Sequence, residues 1–544
     1  MLKPLILSAV MSLTGCQTPS KTVDLLIKDA TVYTVDENFS TCTSFVVKDG
    51  RIVDTGSAEE MEKRYNAITT LSLAGKFVYP GWIDAHCHFF GYGMNLNAVD
   101  VAGTSSVEEI ISLLKKHQET NKGSWITGRG WDQNDWEVKE FPDRTMLDLH
   151  FPDTPVLLRR IDGHAAWVNT KALELSGVTA ASKVEGGTVV LKDGQPSGIF
   201  IDNAIGLVAS KIPEPTEQEM TEALSEAQQN CFRVGLTSVQ DAGLPRSVVQ
   251  LIDDQHQKGA LKIRINAWLS PSEENFTYYV EKGPYRTDRL SVNTIKLFTD
   301  GALGSRGALM IGDYSDDAGN RGLLVTPLEK IEAFSRRAYE HNFAVATHCI
   351  GDAANRETLK IYAGILGGKN DRRWRIEHAQ IIHPDDFHYF GDYSIIPSVQ
   401  STHATSDMYW AVERVGNERI KGAYAYKQLL EQNGWIPNGS DFPVEQINPL
   451  FGFYASVVRK DQAGYPAGGF QMKNAISREE ALRAMTIWAA RAGFEEDLKG
   501  SIEAGKLADF VVTSIDLMTA PEAELFGIRV EATWSGGERV YSAQ

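Results

Sequence analysis

Between residues 77 and 438 the chain offers eight short runs of apolar and β-branched residues, separated by stretches of helical character. They are Phe77–Ala85, Leu236–Gln240, Ile263–Leu269, Thr294–Phe298, Ala344–Thr347, Trp374–Glu377, Ser394–Val399 and Gly434–Asn438. Such alternation predicts parallel strands joined by crossover helices, because parallel neighbours cannot be connected by a tight hairpin. Eight of them predict an α/β fold, the closed (β/α)8 barrel of TIM type. Chemistry in that fold sits at the C-terminal strand ends.

A 544-residue chain exceeds one ordinary core. Residues 23–79 read as strands and turns, with Asp49-Gly50 as a hairpin signal. Residues 500–544 repeat that texture in Gly505–Thr513, Arg529–Trp534 and Gly537–Tyr541. The two ends therefore predict one small composite β-sandwich, 23–79 plus 500–544, around a barrel at 80–499. The span from about 91 to 234 is too long for one crossover. It carries strand-like runs of its own, Ser124–Gly128 and Thr154–Arg159, and is expected as an insertion over the barrel mouth.

The first 15 residues have signal-peptide proportions: a basic start at Lys3 and a short apolar core from Leu5 to Leu13. Leu13-Thr14-Gly15-Cys16 resembles a bacterial lipobox. The resemblance implies cleavage before Cys16 and a lipid on its thiol, with 16–22 as a polar tether. Gln17, not Asp, then implies sorting to the outer membrane, facing the periplasm. The expected membrane contact is this anchor only. A net charge of −17 argues against nucleic acid and anionic lipid surfaces. After Cys16 only Cys42, Cys87, Cys231 and Cys349 remain, too few for a disulfide scaffold, and Cys87 and Cys349, beside the candidate ligands, are expected as buried thiols.

The predicted strand ends carry a set of metal-grade residues. His86 and His88 stand two apart, so on a strand they share a face. Lys296 lies inside an apolar strand, and His348, His378 and Asp441 close the fifth, sixth and eighth. Singly, each has a plain structural alternative, a hydrogen-bonded His or Asp or a snorkelling Lys. Together at one barrel end they predict a metal site.

Six segments carry a specific resemblance: Pro80–His88, Asp162–Asn169, Lys296–Arg306, His348–Asp352, Arg375–His378 and Gly439–Pro443. They resemble the amidohydrolase superfamily, and within it the YtcJ-like, or amidohydrolase-3, group that includes N-substituted formamide deformylases. The resemblance implies two divalent ions, zinc foremost. His86, His88 and Asp441 would hold one ion. His348 and His378 would hold the other. Lys296, carboxylated by carbon dioxide, would bridge them. It implies hydrolysis of a non-peptide carbon–nitrogen bond in a small-molecule amide by a metal-activated hydroxide, with Asp441 moving the proton. Cyclic-amide hydrolysis, peptidase activity and a non-catalytic metal-binding surface lipoprotein are the alternatives.

In that family the insertion faces the active site, which would let His164 bond a substrate carbonyl and place Asn169 beside substrate. Arg306, in a glycine-rich loop, would clamp an acyl or carboxylate group or else order the loop. His403 and Asp407 would orient substrate or support the ligands, and Asp352 would order its loop. Trp125, Trp131 and Trp136 would form a substrate wall or plain core. Neither oligomeric state nor substrate identity is legible in the residues.

Overall fold

The structure, a computed structural model, describes residues 21–120 and 123–543. The expected signal peptide and Cys16 lie outside the described residues. Lys21 and Thr22, assigned above to the tether, already belong to the strand Lys21–Lys28. No helix among the described residues is long and apolar enough to cross a membrane.

Seven strands form the barrel wall: β1 (Trp82–Cys87), β2 (Leu236–Leu244), β3 (Arg264–Leu269), β4 (Leu290–Phe298), β5 (Ala344–Cys349), β6 (Arg375–His378) and β7 (Ile396–Ser398). They lie side by side in that order, all parallel. The expected eighth strand at 434–438 is a correction. Gly434 is a left-handed cap on the helix Tyr426–Asn433. Only the end of the segment pairs, through a parallel bridge between Val399 and Asn438. On the other side the Asp441 N–H donates to the His86 carbonyl at 2.8 Å. A Cβ at Gly439 would lie 2.4 Å from the His86 nitrogen, so only glycine lets this segment close the ring against β1.

The run expected as one strand, Phe77–Ala85, is broken at Gly81. Its first part, Phe77–Pro80, pairs antiparallel with Phe510–Thr513 from the far end of the chain. A Cβ at Gly81 would meet the Thr237 hydroxyl at 2.3 Å, and its N–H is taken by the Asp509 carbonyl. These two strands sit inside a six-stranded sheet. A four-stranded sheet containing Lys21–Lys28 and Ser44–Lys48 packs on it. Leu25, Ile27, Phe45, Val78, Phe510 and Val512 fill the space between. A β-sandwich built from both chain ends is the result.

One buried ion pair ties this sandwich to the barrel. Arg264 of β3 donates Nε to Asp509 Oδ2 at 2.7 Å and Nη2 to Oδ1 at 3.0 Å, with both side chains about 5% exposed or less. Asp509→Leu leaves the arginine buried without its counter-charge. It should cost about 3–5 kcal/mol of stability, read as a lower denaturation midpoint. An unchanged midpoint would show that the pair does not hold the two domains together.

The insertion is a six-stranded mixed sheet, ordered Gly187–Lys192, Gln195–Asp202, Ala165–Val168, Val156–Arg160, Ile126–Trp131 and Val99–Asp100. Alternate residues feed two cores, Leu158 and Trp167 one, Leu157 and Ala166 the other. Trp131 and Trp136 belong to the first core and Trp125 packs on the second, so these three are core and not substrate wall. The insertion ends earlier than expected. Helix Glu217–Arg233 buries Leu224, Ala227, Cys231 and Phe232 in the barrel core and serves as the crossover into β2.

Candidate active site

β1 delivers His86 to the barrel mouth, and His88 follows as the first cap of the short helix Phe89–Asn95. Both imidazoles reach one carboxylate oxygen. Nε2 lies 3.5 Å from Asp441 Oδ1 for His86 and 3.3 Å for His88. The other oxygen of Asp441, Oδ2, is 3.5 Å from His403 Nε2. His86, His88 and Asp441 bring one donor atom each within 4.8 Å of one another, and so do His378, His403 and Asp441. Lys296 lies at the floor, its Nζ 3.2 Å from His86 Nε2. The His348 ring centre is 4.6 Å from that of His378 and 5.0 Å from that of His164.

Strand geometry alone does not aim these groups. Asp441 (φ 63°), His378 (φ 69°) and Ala379 (φ 41°) all sit in the left-handed region. Non-glycine residues are held there only where their surroundings over-determine the backbone, a condition that clusters at functional sites. Beneath them Glu377 receives His86 Nδ1 at 2.5 Å and the Ser398 hydroxyl at 2.8 Å, and pairs with Arg375 at 2.7 Å. Arg375 in turn donates to the Ala85 carbonyl and Ser398. Glu377 thus fixes which ring nitrogen of His86 faces the site. Arg375 and Glu377 stand in a segment that carries the family resemblance, with no task expected of them from sequence. Their signal is two opposite charges inside an apolar strand.

Burial sets the charge states. It pushes His86 down to about 4, with Lys296 adding to the shift, and holds His348 and His378 well below the ordinary imidazole value. Lys296 is brought down to about 8 by burial, against the pull of Glu377 and Asp441. Burial would raise the Asp441 carboxyl, but the facing His403 and His88 rings hold it well below the usual carboxylate range. Burial would likewise raise Glu377, yet Arg375 and His86 bring it to about 2.

The residues fit divalent ions. Asp441 Oδ1 and His378 Nδ1 are buried without a hydrogen-bond partner, which a native interior tolerates poorly. Neutral imidazoles, a carboxylate and a lysine near neutrality form a nitrogen–oxygen donor set suited to zinc and similar ions. His403 lies in ligand range too, but Glu445 binds its Nδ1 at 3.0 Å and Asp441 faces its Nε2. Burial lowers its pKa, and these two carboxylates overcome that and push it up to about 10. We therefore read His403 as a double donor that steadies Asp441, with His348 and His378 as the second pair of ligand candidates.

The remaining expectations divide. His164 lines the cavity, its Nδ1 held 2.5 Å from Asp202 Oδ1. Asp202, at the end of a strand 38 residues on, carried no sequence signal. Asn169 is corrected. It caps helix Thr170–Ser176, accepting from Ala172 and Val156 N–H while donating to the Phe151 and Thr154 carbonyls, so nothing of its amide is left for substrate. Arg306 is corrected as well. It pairs with Asp316 at 2.9 Å, and Asp316 also binds Arg414, whose Nη2 reaches Asn134. That chain of contacts fastens the insertion to the barrel, away from the cavity lining. Asp352 Oδ1 accepts from Ile311 N–H and orders its loop as expected. Asp407 lines the cavity and accepts from Tyr424 at 2.7 Å. Cys87, Cys231 and Cys349 are buried, Cys42 half-buried, and burial raises the pKa of all four thiols.

The cavity over this centre holds about 210 Å³. Barrel and insertion both line it, with Trp410, Ile161, Phe298 and Leu303 as apolar wall and Asp135, Asp407 and Glu445 as acidic wall. Its cations are few. Arg160 is clamped between Asp132 and Asp162, and Lys296 is the floor. Arg129 stands behind the 161–163 loop, donating to the Ile161 carbonyl.

The sequence profile of the amidohydrolase family matches residues 69–541. The protein LONG AFTER FAR-RED 3 of Arabidopsis thaliana is 34% identical over 541 residues, covering 95% of this chain and 91% of its own. The N-substituted formamide deformylase of Arthrobacter pascens is 26% identical, covering 94% of this chain and 97% of its own. A crystal structure of an uncharacterized metal-dependent hydrolase from Pyrococcus horikoshii superposes with a TM-score of 0.75 at 28% identity, covering 92% of this chain and 99% of its own. With the barrel, its mouthful of histidines and a family match over most of its length, the chain belongs to the amidohydrolase family of metal-dependent hydrolases.

Proposed function

We propose that the chain hydrolyses a non-peptide carbon–nitrogen bond in a small N-acyl or amide compound. The observation that carries this reading is Asp441, whose two oxygens face two histidine groups above a buried lysine. Divalent ions held by His86, His88, His348, His378 and Asp441 would supply an activated water and polarise the scissile carbonyl. Lys296, with a neutral fraction at physiological pH, would add carbon dioxide at Nζ with release of one proton and so supply an anionic oxygen ligand to those ions. Asp441 accepts the proton of the attacking water and returns it to the departing nitrogen. His403, braced by Glu445, keeps Asp441 turned toward that water. His164, anchored on Asp202, offers Nε2 to the substrate from the insertion side.

Two features support the non-peptide reading. The Arthrobacter relative is named for an N-substituted formamide. Among the described residues the cavity wall offers no lysine or arginine free of a carboxylate partner above its floor, so the carboxylate of a dipeptide or N-acyl amino acid would face Asp135, Asp407 and Glu445 with only the His164 ring to receive it. With metal-loaded protein, a neutral N-acyl amine should show kcat/KM at least about tenfold above the matching N-acyl amino acid. A preference for the carboxylate-bearing substrate would overturn this reading.

A further inference from the structure

A second cavity, of about 240 Å³, adjoins the first. The two share Ser406 and Glu445 as a common wall, joined by a 2.6 Å hydrogen bond from the Ser406 hydroxyl. Beyond that pair the second cavity is faced by Phe451, Tyr454 and Phe526 among polar residues, with the Tyr454 and Phe526 ring centres 3.9 Å apart. Phe526 comes from the turn Glu522–Gly527, near the C-terminal end, so the β-domain's own chain segment completes this wall.

The charged groups at the rim are already occupied. Lys460 pairs with Glu522 at 3.1 Å, and Asp461 accepts from the Tyr409 hydroxyl and the Tyr465 N–H. Thr402 lines the same cavity, is only 8% exposed, and its hydroxyl has no hydrogen-bond partner. A buried unpaired hydroxyl in a wall that also carries three aromatic rings offers a ligand one hydrogen bond within an otherwise apolar contact surface. An apolar cavity of about 150 Å³ takes up benzene, so this one has room for an aromatic ring and a short linker.

We infer that this second cavity is a subsite for an uncharged aromatic or aliphatic arm of the substrate, reached by crossing Ser406 and Glu445 from the reactive bond. The inference rests on the hydrolase reading above only for where that bond lies. It assigns the pair Ser406–Glu445 as the threshold and the Phe451, Tyr454 and Phe526 rings as the surface that selects the arm.

Binding of three uncharged amides to the full metal-loaded protein tests it by calorimetry: N-methylacetamide, N-phenethylacetamide and N-methyl-3-phenylpropanamide. The last two carry the arm on the amine and acyl side in turn. At least one should bind about tenfold or more tighter than N-methylacetamide. Gln446, exposed at the rim and outside the catalytic set, gives the decisive variant. Gln446→Trp should fill the cavity and abolish that preference while leaving N-methylacetamide unchanged. Phe526→Ala, which strips one ring from the wall, should weaken the armed amide severalfold.

An arm that adds no affinity, or a preference that survives Gln446→Trp, overturns the subsite. Turnover is scored separately on the same amides. Cleavage without any arm preference removes the subsite and keeps the hydrolase. Arm-selective binding without cleavage of any amide keeps the subsite and removes the hydrolase.

Discussion

Asp441→Asn should lower kcat by about 10²–10⁴, the usual weight of a positioned acid–base group, while most of the metal and the fold remain. The asparagine amide still offers an oxygen toward His86 and His88, so the donor set is only weakened. What it loses is the capacity to hold a proton between the water and the departing nitrogen. The aspartate is built for that cycle. It is buried, its backbone is pinned by the hydrogen bond to the His86 carbonyl, and His403 and His88 stabilise its charged form. Elemental analysis of the variant separates loss of metal from loss of proton transfer. Full metal occupancy with unchanged kcat would show that another group moves the proton, and His164 would then be the next residue to replace.

Lys296→Ala should remove one of two bound ions and cut kcat by about 10³ or more, because an ion at such a centre carries several kcal/mol of transition-state stabilisation. The lysine is fully buried, lies 3.2 Å from His86, and is pushed toward neutrality by that burial. Unmodified, it would place a positive charge beside the metal ligands. As a carbamate it would supply the anion that two dications need. Intact-mass measurement of protein loaded with metal and bicarbonate should show the added mass of one carbon dioxide. Short carboxylates should restore part of the activity of the alanine variant by occupying the vacated position. One tightly bound ion in the unaltered protein, together with an unmodified Lys296, would replace the two-ion scheme with a one-ion hydrolase.

The loss from Asp441→Asn differs in kind from the effect of Asp509→Leu, which acts on the barrel–sandwich joint far along the chain from the mouth. A variant that lowers stability and one that lowers kcat at constant metal content are told apart by denaturation midpoint and metal analysis together.

Much of this architecture was readable without coordinates. Short continuous apolar runs alternating with helical stretches carry the barrel, because parallel strands covered on both faces are apolar along their whole length. His86 and His88 were readable as a pair because residues two apart on a strand share a face. Lys296 stood out because an isolated lysine in an apolar strand needs a reason. Repetition of hairpin signals at both chain ends announced the composite sandwich.

Tertiary structure alone decided the rest. Asn169 and Arg306 sit in the segments that carry the family resemblance, yet one caps a helix and the other fastens a loop through Asp316. Glu445 and Asp202 stand at the active site with no local pattern to mark them. The eighth barrel position looked like a strand but is a short closing segment, since Gly439 must pass within contact of His86 and Asp441 must turn left-handed. The division follows from range. Periodicity, turn chemistry and i,i+2 spacing are properties of a few neighbouring residues, so the chain states them by itself. A side chain's partner across hundreds of residues, and whether its hydrogen-bonding capacity is spent on a cap, an ion pair or a substrate, exist only once the strands are laid side by side and water is excluded.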